Sequence, residues 1–393
     1  MKNLGLLPKI ILAIALGILI GSFAPESVIK IFSTFNGLFG NFLGFIIPLI
    51  IIGFIAPGIG TMGRGAGKLL GISTGLAYAS TILAGLLALF VANSFYPVLL
   101  KNQTLNRFGN PEEALLKPYF SIEMTPIMDV MAALMIAFII GLGLAAIKGE
   151  FLQHAMEDFR SIIEKVIAKV IIPLLPIHIF GIFSNMTQGG QVGAIISVFA
   201  KVFVMIIGLH MIFLLIQYSF AGALAKKNPI KMLKEMLPAY FTALGTQSSA
   251  SSIPITIKHA KKLGASEKVT DFSIPLLANI HLSGSTITLV SCSVAVLMLQ
   301  GQSATLAEVL PFILMLGVTM IAAPGVPGGA VMAALGLLES MLGFDATMVA
   351  LMIALYMAQD SFGTACNVAG DGAIAVMTDK LSKKEQQANH TAA

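Results

Sequence analysis

The chain has 393 residues, of which 56% are hydrophobic and only 11% are charged, whereas a soluble domain carries about 25% charged residues. Its apolar residues form successive stretches of membrane-spanning length, and the mean hydropathy is +0.90. This composition excludes a soluble enzyme, a disulfide scaffold and a disordered chain, and it predicts an all-α integral membrane protein. The formal net charge of +5 bears on the orientation of the loops and does not indicate nucleic-acid binding.

The first half of the sequence predicts six membrane spans. A span needs about 20 mostly apolar residues, and six stretches approach or exceed this length: residues 8–23, 31–59, 68–96, 130–147, 162–183 and 192–223. We expect the long second span to be tilted. A polar insertion at residues 101–129 follows the third. No Ala-x-Ala cleavage pattern follows the first span, so we expect a retained helix and not a signal peptide.

A serine-rich run changes this pattern after the sixth span. Residues 245–254 read Gly-Thr-Gln-Ser-Ser-Ala-Ser-Ser-Ile-Pro, and such a run cannot lie in lipid with its backbone groups unsatisfied. A surface loop is the simplest interpretation. However, the flanking segments are apolar and too short to cross a membrane alone. We therefore expect a helical hairpin, hairpin 1, that enters and leaves on one side with the serines at its tip.

Two further apolar stretches are interrupted. The seventh span, residues 269–299, contains Asn-Ile-His-Leu-Ser-Gly-Ser at 279–285, and the stretch 309–338 contains Ala-Pro-Gly-Val-Pro-Gly-Gly at 323–329. Two prolines and three glycines in the latter run end one helix and begin another, which predicts a second re-entrant hairpin, hairpin 2. The eighth span, residues 348–377, completes a repeated unit of hairpin and span. Interrupted helices at matching positions of two repeats indicate a transporter's binding site.

Basic residues in the loops predict the orientation. All of them fall on the cytoplasmic side, with both termini inside, if the two hairpins are re-entrant from opposite faces. Full crossing by each hairpin would place the loop 258–268 outside, so the charges favour re-entrant hairpins. The residues concerned are Arg64, Lys68, Lys226, Lys227, Lys231, Lys234, Lys258, Lys261, Lys262, Lys268, Lys380, Lys383 and Lys384.

The eighth span carries a polar stripe. Asp360, Thr364, Asn367 and Asp371 are spaced at offsets 0, 4, 7 and 11, which places them on one face of a helix, and Gly363 lies on the same face. Ionisable groups at membrane depth are costly and are functional by default. A single aspartate would fit a structural hydrogen bond equally well, but two on one stripe opposite two broken hairpins favour a functional site.

The chemistry of these groups suggests a cation and a zwitterion. Sodium prefers oxygen ligands, and Asp371 and Asn367 beside the interrupted stretch 279–284 can supply them together with freed carbonyl groups. His281 is interpreted as a neutral structural hydrogen-bonding residue in preference to a proton carrier.

The hairpin tips suit an anion. Backbone N–H groups at half-helix N-termini, at residues 248–249 and 325–326, can bind a carboxylate. An anion there and a cation beside Asp360 together describe an amino acid.

Four motifs carry a resemblance to a known family. They are Gln-Ser-Ser-Ala-Ser-Ser-Ile-Pro at 247–254, Ile-Pro-Leu-Leu-Ala-Asn-Ile-His-Leu-Ser-Gly-Ser at 274–285, Pro-Gly-Val-Pro-Gly-Gly at 324–329 and Asn-Val-Ala-Gly-Asp at 367–371. In order and spacing they resemble the signatures of the dicarboxylate/amino acid:cation symporter family, the glutamate-transporter family, over essentially the whole chain.

The resemblance implies a fold and a domain organisation. It implies eight transmembrane helices plus two re-entrant helical hairpins in inverted repeats, an elevator-type transport domain and a homotrimer. Residues 1–225 would be mainly scaffold and trimerisation helices, with spans three and six moving with the transport domain. Residues 226–380 would form the transport core, and residues 381–393 a cytoplasmic tail.

The resemblance also implies roles in the site. Asp360 resembles the aspartate that holds the substrate amine, Asn367 the asparagine that binds the substrate backbone, and Asp371 a sodium-binding aspartate, while Ser249 and Val326 resemble hairpin-tip contacts. The expected substrate-binding residues are Ser248, Ser249, Ser285, Gly325, Val326, Asp360, Gly363, Thr364 and Asn367. The expected sodium-binding residues are Leu277, Asn279, His281, Leu282, Ile321, Ala323, Asn367 and Asp371.

Departures from the family pattern bear on the substrate. Members that transport acidic substrates have arginine where this sequence has Gly363, and Asn-Met-Asp-Gly-Thr where it has His-Leu-Ser-Gly-Ser at 281–285. Ser283 therefore replaces the aspartate of a third sodium site, and Gln247 replaces the residue that usually precedes the serine pair. These changes favour a neutral substrate and fewer coupled sodium ions.

The sequence thus predicts a sodium-coupled symporter of a neutral amino acid in an inner (plasma) membrane, and not an enzyme. Acidic amino acid or dicarboxylate transport and proton coupling remain alternatives within this class. An ion channel is a remote alternative, which single-channel currents would reveal. A membrane-embedded enzyme ranks lowest, because no histidine or lysine is placed beside the serine tip to activate a nucleophile.

Overall fold

A computed structural model describes residues 6–63, 67–99, 116–147, 149–190, 192–321, 323 and 328–391. Regular structure in these ranges is entirely helical, which confirms the predicted all-α class. The helices are α1 (Leu6–Phe23), α2 (Glu26–Gly63), α3 (Gly67–Leu99), α4 (Val130–Ala146), α5 (Phe151–Val166), α6 (Ile172–Gln188), α7 (Val192–Ala225), α8 (Pro229–Thr246), α9 (Ser249–Lys262), α10 (Glu267–Ile280), α11 (Ser283–Leu299), α12 (Leu306–Met320), α13 (Gly329–Leu342) and α14 (Ala346–Thr391).

Several helical segments have membrane-spanning length. In the described ranges, six segments are long and apolar enough to cross a membrane, and four shorter helices, α1, α4, α12 and α13, are also apolar. The 38 residues of α2 extend about 57 Å, which fits a hydrocarbon core of about 30 Å only with a marked tilt. The protein is therefore a multi-pass membrane protein.

The fifth predicted span lies within a longer helical segment. A π-helical turn at Ile167–Ile171 joins α5 to α6, so the segment runs continuously from Phe151 to Gln188. Pro173 and Pro176 follow this turn directly. Proline has no backbone N–H and its ring crowds the carbonyl four residues earlier, and a wider turn accommodates both effects.

The helices pack in two groups. In the first, the α2 group, α2 lies on α4, α5 and α6, and α1 lies on α6. In the second, the α14 group, α14 is surrounded by α3 and α7–α11, with α12 against α3 and α13 against α12. The groups meet chiefly where α13 contacts α2 and α1 contacts α14. Every residue of the predicted polar stripe lies at the centre of the α14 group.

Two helix pairs form hairpins. A two-residue turn at Gln247 and Ser248 joins α8 to α9, which pack on each other, and α12 packs on α13. Lys227, just before α8, donates to the Leu263 carbonyl just after α9 at 2.8 Å. Ser266, before α10, donates to Asp379 near the end of α14 at 2.6 Å. The start of α8, the end of α9 and this part of α14 therefore share one end of the molecule, where basic residues were predicted to collect.

The structure differs from the sequence-based prediction at the seventh span. The interruption of this span covers only His281 and Leu282, not residues 279–285, because the His281 N–H still bonds to the Leu277 carbonyl and a new helix starts at Ser283. Residues 381–391 of the expected tail are helical and continue α14. The first part of the polar insertion, residues 101–115, lies outside the described residues, and residues 116–129 are not helical.

Glycine allows α1 to approach α6 closely. A Cβ atom on Gly17 would lie 2.7 Å from the Phe180 carbonyl oxygen, a backbone atom that cannot rotate away, whereas a Cβ on Gly44 of α2 would meet nothing within 4 Å. We predict that Gly17→Ala destabilises the protein by about 1–3 kcal/mol through overpacking. The melting temperature of the purified protein should fall by a few degrees for Gly17→Ala and not for Gly44→Ala. Equal melting temperatures would show that α1 and α6 do not pack this closely.

Candidate functional site

The predicted stripe lies on one uninterrupted helix. Asp360, Gly363, Thr364, Asn367 and Asp371 all fall within α14, and all are buried. Their buried face meets the α10–α11 interruption and hairpin 1. The stripe is therefore confirmed as a buried polar face, enclosed by the interrupted helices that the sequence singled out.

Asp360 of α14 lies against the N-terminus of a neighbouring helix, α13. Its Oδ2 atom accepts a hydrogen bond of 2.7 Å from the Gly328 N–H, which is the N-cap position of that helix. Unpaired N–H groups and the helix dipole favour a carboxylate there. Among the described residues no lysine, arginine or histidine forms an ion pair with Asp360. Its charge, only 5% exposed, is therefore available to a cationic ligand.

Asn367 holds the start of α11. Its Oδ1 atom accepts from the N–H groups of Gly284 at 2.7 Å and Ser285 at 3.3 Å, and its Nδ2 atom donates to the Ser285 hydroxyl at 3.0 Å. The N-cap residue of α11 is Leu282, whose side chain makes no capping hydrogen bond. Asn367 on a different helix thus satisfies the orphan N–H groups that Leu282 cannot.

Asp371 is paired with a histidine. Its Oδ1 atom lies 2.8 Å from His281 Nδ1, and the two side chains are 1% and 0% exposed. The other ring nitrogen of His281 lies 3.0 Å from the Ser80 hydroxyl and 3.2 Å from Gln217 Nε2. His281 therefore contributes its side chain to the site by hydrogen bonding, which is the kind of role that the sequence favoured for it.

The tip of hairpin 1 presents a helix N-terminus. Gln247 adopts a left-handed conformation with φ of 54°, which reverses the chain after α8. Ser248 then caps α9, its side chain accepting from the Ser251 N–H at 3.2 Å. Ser249 is buried at the first position of the helix. The remaining N–H groups of this first turn have no helical partner and are suited to a carboxylate ligand.

The predicted sodium ligands are only partly assembled in the described residues. The Leu277 and Leu282 carbonyls flank the interruption and accept from the N–H groups of His281 and Thr286. The Asn279 side chain is exposed, and its Nδ2 atom donates to the Pro275 carbonyl at 2.9 Å. Ile321 and Ala323 follow α12. Gly325 and Val326 of the substrate-binding set lie outside the described residues.

Sequence reasoning did not identify Ser80, Gln217 and His210 as parts of the site. Ser80 and Gln217 contact His281 from α3 and α7, and His210 Nε2 donates to the Gly284 carbonyl at 3.0 Å. One signal was available, because polar residues inside otherwise apolar spans are uncommon and face the protein interior. Nothing in the sequence indicated which partner each would meet.

Comparison with known protein families identifies the family of this chain. Residues 6–381 match the family described as the Sodium:dicarboxylate symporter family. A match over nearly the whole chain shows that the protein belongs to this family of membrane transporters, which confirms the resemblance drawn from the four motifs and the predicted class of protein.

Two relatives are similar to this chain over most of its length. The chain is 27% identical over 342 residues to the serine/threonine transporter SstT of Streptococcus suis (strain 05ZYH33), covering 84% of this chain and 94% of the relative. It is also 27% identical over 400 residues to the serine/threonine transporter SstT of Acinetobacter baumannii (strain AYE), covering 98% of each.

Asn367 offers a test of the site's architecture. We predict that Asn367→Ala lowers the stability of the ligand-free protein by about 1–3 kcal/mol, because the buried Gly284 and Ser285 N–H groups lose their acceptor. Asn279→Ala is the matched control, since that side chain bonds only within its own helix. Thermal unfolding without sodium or amino acid should separate the two variants. If they unfold together, Asn367 does not stabilise the start of α11.

Proposed function

We propose that the protein is a sodium-coupled symporter of a neutral amino acid. The observation that carries the proposal is a pair of buried carboxylates, Asp360 and Asp371, that no lysine or arginine pairs with among the described residues. Uncompensated charge at membrane depth attracts cationic ligands. One carboxylate would bind the substrate ammonium and the other sodium.

Asp360 is the substrate-binding carboxylate in this proposal. A carboxylate accepts up to about four hydrogen bonds, so the bond from Gly328 leaves it able to accept an ammonium group. The substrate carboxylate would lie at the N–H groups of the hairpin tips, residues 248–249 and 325–326. Thr364, Ser285 and Asn367 would contact the substrate backbone from α14 and α11.

Asp371 is the sodium-binding carboxylate. The ion would be held by its side chain and by backbone oxygens at the predicted positions in α10, α14 and the end of α12: Leu277, Asn279, His281, Leu282, Ile321, Ala323 and Asn367. The Ser283 hydroxyl is buried and has no hydrogen-bond partner among the described residues. A hydroxyl supplies no charge, so a third cation site built around it would be weak.

The neutral substrate follows from Gly363. A Cβ atom here would lie 3.5 Å from the Ser285 N–H nitrogen, so this position faces the start of α11 beside the proposed substrate. Without arginine at 363, a substrate side-chain carboxylate would be buried unpaired, which is costly. The similarity to two serine/threonine transporters supports a small neutral side chain.

The proposal includes the architecture expected from the family. The chain would have eight membrane spans and two re-entrant hairpins. The α2 group would form a scaffold that assembles with two further copies into a trimer, and the α14 group would form an elevator-like transport domain. The limited contact between the groups and the shared end of α8 and α9 support this division. The protein would lie in the inner (plasma) membrane, with both termini facing the cytoplasm.

We predict that Asp360→Asn abolishes substrate binding, because the amide removes the charge that holds the ammonium group. Asp345→Asn is the matched control, since Asp345 caps the start of the same helix by accepting from Met348 and asparagine caps equally well. The measurement is stabilisation of the purified protein by a panel of amino acids at saturating sodium. Full stabilisation of Asp360→Asn by serine or threonine would refute the assignment.

We predict that Gly363→Arg shifts preference toward aspartate and glutamate, since a guanidinium pairs bidentately with a side-chain carboxylate. Gly363→Leu controls for added volume without charge. The measurement is competition of labelled serine uptake by aspartate at neutral pH in proteoliposomes. In the unmodified protein, aspartate should compete poorly. If it competes as well as the best neutral amino acid, the selectivity argument from Gly363 is wrong and an acidic substrate is indicated.

A further inference from the structure

Three polar side chains, from α3, α7 and the α10–α11 break, converge behind Asp371. Gln217 of α7 donates from Nε2 to the Ser80 hydroxyl of α3 at 2.8 Å, and that hydroxyl lies 3.0 Å from His281 Nε2. His281 Nδ1 lies 2.8 Å from Asp371 Oδ1. Gln217, Ser80 and His281, here called the polar triad, are all buried.

The donor and acceptor types fix the direction of these bonds. The carboxylate can only accept, so the hydrogen on His281 resides on Nδ1. The Gln217 amide nitrogen lies 3.2 Å from His281 Nε2 and can only donate, so Nε2 is an acceptor. The Ser80 hydroxyl, which accepts from Gln217, therefore directs its own hydrogen at Nε2. The bonds therefore run in one direction, from Gln217 through Ser80 and His281 to Asp371, with Nδ1 of His281 as the donor and Nε2 as the acceptor.

This arrangement leaves one oxygen of Asp371 available to a cation. The hydrogen bond from His281 orients the carboxylate through Oδ1 alone. No donor among the described residues reaches Asp371 Oδ2, and the neighbouring Tyr218 hydroxyl donates to the Ala369 carbonyl instead, at 2.6 Å. One oxygen is therefore held in place, and the other is free to bind an ion.

We propose that the polar triad positions Asp371 for cation binding, with Ser80 fixing the His281 tautomer that donates to Oδ1. The side chains of His281, Ser80 and Gln217 are positioning groups, because they act through Asp371 and not on the ion. This inference rests on the proposed function, in which Asp371 binds sodium. Partners that orient a metal-binding group change metal affinity by about 10- to 100-fold when removed.

The triad predicts a specific dependence between two residues. An asparagine at 281 places an N–H group where histidine has Nδ1 and has no second ring nitrogen to be fixed. It can donate to Asp371 without help from Ser80. Ser80 should therefore matter only while residue 281 is histidine, which a purely structural role for Ser80 does not require.

The test measures the sodium concentration that gives half-maximal thermal stabilisation of the purified protein without amino acid. We expect His281→Ala to raise this midpoint about 10-fold or more and His281→Asn to stay near the unmodified value. Ser80→Ala should raise it severalfold alone and have no further effect in the Ser80→Ala/His281→Asn double variant. Ser94→Ala, an exposed serine on the same helix that bonds only to Phe90, is the matched control.

Two results would overturn the inference. An equal effect of Ser80→Ala with histidine and with asparagine at 281 would show that Ser80 does not act through His281. An unchanged midpoint in both His281→Ala and Ser80→Ala, while Asp371→Asn abolishes the sodium response, would leave the proposed sodium site intact and remove the triad's role. If Asp371→Asn also leaves the midpoint unchanged, the sodium site itself lies elsewhere. Should His281→Ala fail to fold, the other variants decide the question.

Discussion

Two buried carboxylates on one helix govern the rest of this structure. Asp360 and Asp371 lie on α14 without a lysine or arginine partner among the described residues, and each accepts one hydrogen bond, from the Gly328 N–H or from His281 Nδ1. In a membrane interior such groups are tolerated only where polar surroundings compensate for lost hydration. Helix termini supply that compensation, so the helices around α14 must be interrupted where they pass these residues.

The interruptions in turn require groups that satisfy the backbone. The α10–α11 break covers only two residues, and Asn367 accepts from the N–H groups that the break leaves unpaired. His210 donates to the Gly284 carbonyl from the opposite side. A short break with external capping residues keeps its backbone almost fully bonded, which is the condition for non-helical backbone at membrane depth.

The sequence predicted this organisation unevenly. The spans, hairpin 1 and the buried face of α14 follow from hydropathy and helical periodicity, which are local properties of the chain. The length of the α10–α11 break did not follow. Asn279 and Ile280 belong to the last turn of α10, and whether a residue is polar or apolar does not indicate whether it is helical. The contacts of His281 with Ser80 and Gln217 join residues 201 and 64 positions apart, and no periodicity reports such distant pairs.

Asn367 lies between the two carboxylates on α14, and the surroundings of both depend on its hydrogen bonds to the start of α11. It is seven residues after Asp360 and four before Asp371 on the same helix, about 10 Å and 6 Å along the axis. It fixes the start of α11, and that helix begins two residues after His281, which contacts Asp371. On the proposed function, Asn367 contacts the substrate and also positions the start of α11 beside His281 and Asp371. A ligand that moved Asn367 at one site would therefore change the geometry of the other, which is a physical basis for coupling without a change of fold.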